Sequence, residues 1–162
     1  MSTNMMVLLI IACVICIYVY SYFLHPGNVS IIQTSEQHFN PSALLDKQPL
    51  VIEDSTSEFI DRFKSMYTIS REPTPVAMQW TKNKYKHLAI QATQSMQLLV
   101  CPAAVKRDTK AEGAPPASES SIIAFKMSPM QTVILPFHWS YYLPTTAATI
   151  VGVHDLITYF IP

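Results

Sequence analysis

Five histidines, His25, His38, His87, His138 and His154, are the side chains in this sequence best suited to hold a metal ion or pass a proton. A site of two histidines and one carboxylate needs its ligands on one face, and on a strand the close pair reads H-x-D, H-x-E or H-x-H. His87 is followed by Leu88-Ala89 and His138 by Trp139-Ser140, so neither opens such a unit. His154 and Asp155 are adjacent, and adjacent residues of a strand point to opposite sides. A metal set drawn from distant strands would have to use His87, His138 and Asp155.

Other chemistries find less to work with. There is no G-x-S-x-G elbow, and the serines fall in caps or loops. Cys13 and Cys16 lie within an apolar segment, which leaves Cys101 without a disulfide partner in the rest of the chain. Cys101 closes the run Leu98-Leu99-Val100, which reads as a buried strand, so packing is its expected role. Glu53-Asp54 stands between a strand and a helix start, where acidic charge is favourable. The three glycines, Gly27, Gly113 and Gly152, are isolated, which excludes a Gly-rich phosphate cradle. The sequence therefore predicts no catalytic residue, no metal ligand and no cofactor.

Two groups of residues look suited to binding. Lys82-x-Lys84-x-Lys86 would line one face of a strand, either protecting a sheet edge or meeting anionic headgroups or an acidic partner. Pro136-Phe137-His138-Trp139-Ser140-Tyr141-Tyr142 is rich in aromatic rings. On a strand Phe137, Trp139 and Tyr141 face one way and His138 and Tyr142 the other, so one set fills the core while the other is offered to a partner or buried on the second side.

The elements that must position these residues begin with residues 5–24, MMVLLIIACVICIYVYSYFL, which carry no charge. Twenty residues at ~1.5 Å each cross the ~30 Å hydrocarbon layer, so a single membrane helix is predicted, with Met5, Leu8, Ile11, Ile15, Tyr18, Tyr22 and Leu24 as its anchoring residues. Tyrosines 18, 20 and 22 place its C-terminal end at headgroup level, and Pro26-Gly27 ends it. A cleaved leader fits poorly, because no charged n-region precedes the apolar run and no small-x-small site follows. Residues 1–27 are thus read as an anchor and residues 28–162 as one domain. The sidedness of that domain stays open, since Lys47 is the first cation after the helix. Asn28-Val29-Ser30 is a glycosylation sequon, expected to be unmodified so close to a membrane.

In the domain, Asn40-Pro41 starts a short helical turn, and residues 50–52 form an apolar strand. Ser55-x-x-Glu58 then caps a helix whose Phe59, Ile60, Phe63, Met66 and Tyr67 recur at helical spacing. From residue 76 onward short β-prone runs follow at near-regular intervals: 76–80, 87–92, 96–101, 121–127, 132–135, 139–143, 149–153 and 156–161. That spacing is the mark of a sandwich or barrel. Residues 103–120 are rich in alanine, proline, serine and charge, and read as a long loop that could serve as a docking arm.

Lysine plus arginine and aspartate plus glutamate number 11 each, so no global field favours nucleic acid. Only 14% of residues are charged, against roughly 25% in ordinary soluble domains, which fits a surface covered by a membrane and by neighbours.

Two motifs carry a resemblance. Lys47-Gln48-Pro49-Leu50-Val51-Ile52 ahead of a helix, and Val133-Ile134-Leu135-Pro136-Phe137-His138-Trp139-Ser140-Tyr141-Tyr142, resemble strands of cupin-like, JmjC-type barrels over about a third of the domain. Active members of that family are iron oxygenases, but their metal-binding pattern has no match here. The resemblance implies a jelly-roll or barrel with one or two short helices and without the chemistry. An anchor followed directly by such a domain is also similar to small virion membrane proteins of large double-stranded DNA viruses. The expectation is a non-enzymatic protein linking an inner membrane to a capsid shell, with the bilayer and a major or minor capsid protein as partners. The alternatives are a membrane-tethered oxygenase or sugar-modifying cupin using His87, His138 and Asp155, and a cell-surface binding domain.

Overall fold

The computed structural model describes residues 3–24, 27–103 and 121–160. Most of the predicted docking loop, residues 104–120, lies outside the described residues, as does His25.

The chain begins with α1 (Thr3–Phe23), a helix of 21 residues that is long and apolar enough to cross a membrane. The rest is mainly β, in two sheets. The larger sheet has the order β1-β2-β8-β5-β10-β3, formed by β1 (Ile32–Ser35), β2 (Leu50–Glu53), β8 (Thr132–Pro136), β5 (His87–Ala92), β10 (Ala148–His154) and β3 (Ile69–Arg71). The smaller has the order β4-β9-β6-β7, formed by β4 (Trp80–Lys82), β9 (Ser140–Tyr142), β6 (Met96–Cys101) and β7 (Ile123–Met127). Among these ten strands all pairings are antiparallel except β1 with β2.

The main core lies between the sheets, where Leu88, Ile90, Val133 and Leu135 of the larger meet Leu98, Val100 and Tyr141 of the smaller. The other face of the larger sheet, with Ile52, Ala89, Ile134 and Val151, is covered by Phe59, Ile60 and Phe63 of α2 (Ser57–Ser65). Two-sided cover explains why all six residues of β5 are buried and why that run carries little polar alternation.

Several predicted elements are corrected. The run 156–161 is not a strand: residues Leu156–Phe160 form the short helix α3, because Asp155 Oδ1 accepts hydrogen bonds from the amides of Ile157 and Thr158 and so acts as its N-cap. The cap of α2 is Thr56, which accepts from Phe59 N at 3.2 Å, whereas Ser55 is buried and bonded elsewhere. The run 76–80 becomes a strand only at Trp80, since Met78 sits at φ 59. The lysine run leaves β4 after Lys82, so the three side chains share no strand face. The aromatic run is likewise two strand ends joined by a turn, with His138 at φ 68 carrying the chain from one sheet to the other. Phe137, Trp139, Tyr141 and Tyr142 are all buried, so no exposed aromatic face results. β3, three residues long, has too little pattern to be read from sequence.

Candidate functional site at the foot of the long helix

Antiparallel register gathers His87, Pro136 and His154 at one end of the larger sheet, and α1 meets the domain at that end. Met5, Leu8, Ile11, Ile15, Tyr18 and Leu24 are exposed, but Tyr22 is only 6% exposed. Its ring stands edge-on to Phe137, with centroids 5.7 Å apart. Tyr18, one helical turn earlier on the same face, donates its hydroxyl to Asp155 Oδ2 at 2.8 Å. Tyr20 points away and stays exposed, so the three tyrosines divide between the domain and the surroundings.

Two lysines complete the junction. Lys47 donates to the carbonyls of Ser21 and Leu24, placing a cation on the unsatisfied C-terminal carbonyls of α1. Lys86 donates to Asp155 Oδ2 at 3.2 Å and sits 5.6 to 5.9 Å from the ring centroids of Tyr18, Tyr22 and Tyr67. Burial lowers the pKa of both lysines below the ordinary ammonium value. Asp155 therefore serves two elements, one oxygen capping α3 and the other holding Tyr18 and Lys86.

A cavity of about 280 Å³ opens between this helix foot and the domain, lined by Tyr22, Leu44, Lys47, Lys86, His87 and Phe137 among others. His87 packs against Phe63 and Tyr67. Desolvation, with the charge of Lys86 adding to it, pushes its pKa down to about 3, so the imidazole is neutral at physiological pH. A second cavity of about 320 Å³ is lined by Arg71, Lys82, Lys84, Tyr85 and His154. The predicted lysine stripe is thus split, Lys86 serving the first cavity and Lys82 and Lys84 the second. Tyr85 covers Gly152 so closely that a Cβ there would lie 2.4 Å from its ring.

Asn83, buried between these lysines, holds the turn that carries Phe137 and His138. Its Nδ2 donates to the carbonyls of Leu135 and Pro136 at 3.2 and 2.8 Å, and its Oδ1 accepts from Tyr85 N at 2.8 Å. His138 stacks on Phe137 at 3.7 Å and faces Phe23 of α1 at 6.0 Å.

His87, His138 and Asp155 all belong to this end of the fold, yet each is engaged with a different partner. Among the described residues no group of three or more His, Cys, Asp or Glu side chains could hold a metal ion. The arrangement offers ammonium groups, tyrosine hydroxyls and apolar walls, which suit an anionic or amphipathic ligand. Lys47, Asn83 and the double role of Asp155 escape a sequence reading. Of these, only Asp155 leaves a local signal, an N-cap residue directly ahead of LITYF.

Comparison with family models, with curated proteins and with solved structures finds no match.

Proposed function

We propose that this protein is a non-enzymatic membrane anchor that holds a β domain at a fixed pose on a bilayer and presents its opposite end to a neighbouring protein. The observation that carries this reading is the docking of α1. A loose tether or a cleaved leader has no need of a buried Tyr22, a Tyr18–Asp155 hydrogen bond and a lysine on its last carbonyls. A helix fastened at three points transmits its orientation in the membrane to everything attached to it.

The resemblance to cupin-like barrels and to small virion membrane proteins supports a more specific role, a link between an inner membrane and a capsid shell. The end of the domain away from α1 is the natural docking surface. A cavity of about 530 Å³ there is lined by Glu36, Glu53 and Asp54, with Arg62 at its side, a mainly acidic surface suited to a basic partner.

Crosslinking tests this. A full-length Gln37→Cys variant treated with a short maleimide crosslinker in intact particles should give one discrete adduct with a shell protein. Adducts confined to residues near α1, or release of the chain by alkaline carbonate, would overturn the anchored reading.

A further inference from the structure

We propose that the domain itself binds lipid: the end that meets α1 is seated on the anionic headgroups of the leaflet from which α1 emerges, an inference that rests on the anchored reading above.

Three observations carry it. The first is depth. Asp155 meets Tyr18, which lies five residues before the end of α1 and so roughly 7 Å below it along the axis at ~1.5 Å per residue. α3, which starts at the next residue, therefore stands beside α1 rather than above it, at the level where tyrosine rings settle in a bilayer.

The second is apolar exposure. Phe160, Leu45 and Leu156 are 77%, 76% and 71% exposed, more than any other large apolar side chain among the described residues, α1 included. All three belong to this end. Leu156 and Phe160 are one helical turn apart on α3, and Leu45 lines the cavity at the foot of α1 two residues before Lys47. Left in water they would be a liability; in the headgroup and upper acyl region they are stabilised by burial.

The third is charge. The chain is neutral overall, yet the cavities at its two ends differ in charge. The two cavities at the α1 end are lined by Lys47, Arg71, Lys82, Lys84 and Lys86, of which Lys86 is paired with the adjacent Asp155. The cavity at the other end is lined by three carboxylates and one arginine. Cations held at a membrane surface attract acidic lipids.

A second copy of the chain, or another protein, is the competing occupant of these apolar residues, and tryptophan quenching separates them. Full-length Leu45→Trp and Phe160→Trp variants are reconstituted in vesicles of brominated phosphatidylcholine, with or without a fraction of brominated phosphatidylserine. Gln94→Trp, in the turn between β5 and β6 at the far end, is the aqueous control, and Ile11→Trp reports on α1. The unsubstituted protein supplies the background of Trp80 and Trp139. The expected result is quenching at positions 45 and 160 severalfold above that at 94, stronger with the serine lipid. If position 11 is quenched while 45 and 160 behave like 94, the lipid face is overturned and the anchor survives. Equal quenching by the two lipids overturns the anionic preference. An unquenched position 11 overturns the anchor and this inference with it.

Discussion

At the α1 end of the larger sheet the strand termini carry His87, Pro136 and His154, surrounded by tyrosines, two desolvated lysines and open cavities. At the other end the same strands carry Gln91 and Thr132, and these close on Ser55. Ser55 Oγ donates to Met130 O, Thr132 Oγ1 lies 2.6 Å from Ser55 Oγ, and Gln91 Nε2 donates to Ser55 O at 2.9 Å. One end holds titratable groups at the expense of their solvation; the other holds small polar groups in mutual satisfaction. The difference teaches where the fold holds ionisable groups against their solvation, and it makes the two ends respond differently to perturbation.

The largest expected contrast is with pH. His87 has a folded pKa of about 3 against an ordinary value of 6.5, so the unfolded chain binds the extra proton first. Its contribution to stability is complete above about pH 6.5 and is lost as pH falls towards 3, at most on the order of 5 kcal/mol. Hydrogen exchange in nanodiscs should show the amides near His87 losing protection below pH 6 while those near Ala92 hold. A His87→Gln variant should lose that slope; an unchanged slope would assign it to other groups.

Next in size is Asn83→Ala, which removes the acceptor of the Tyr85 amide and a donor to each of the Leu135 and Pro136 carbonyls, Pro136 keeping its bond from the Trp139 amide, for about 3 kcal/mol. Thermal unfolding in mild detergent measures it, and the loss of Phe137 support should loosen the last turn of α1 as well. Ser55→Ala at the far end should cost about 1 to 2 kcal/mol and leave α1 untouched, because Gln91 keeps its bond to the Ser55 carbonyl. Smallest is Lys47→Met, which removes a cation from the helix C-terminus for about 0.5 to 1 kcal/mol and should raise exchange only at the end of α1. Equal responses at both ends to Asn83→Ala and Ser55→Ala would erase the distinction.

The far end and the strands between were legible in the sequence where burial pattern alone decides structure. The bounds of β5 and β6 follow from their apolar runs, and α2 from its helical spacing. The α1 end was not. Its aromatic run reads as one strand because nothing in the sequence marks His138 for a left-handed backbone, and its lysines read as a stripe because Asn83 shows its value only through carbonyls some fifty residues away. The tyrosines of α1 match an interfacial belt equally well whether they face lipid or protein. Only long-range contact distinguishes Tyr22 from Tyr20.

The route by which α1 is fastened bears on how the molecule resists being pulled. The covalent chain leaves α1 and enters the sheet at β1, an edge strand held on one side only, by β2. A tug on α1 travelling along the backbone would arrive where a sheet peels most readily. The side-chain links lead elsewhere: Tyr18 to Asp155 at the end of β10, and Tyr22 to Phe137 at the end of β8, both interior strands paired on two sides. Mechanical load is thereby shunted past the weak edge into the middle of the sheet, where several ladders must shear together before any strand comes away.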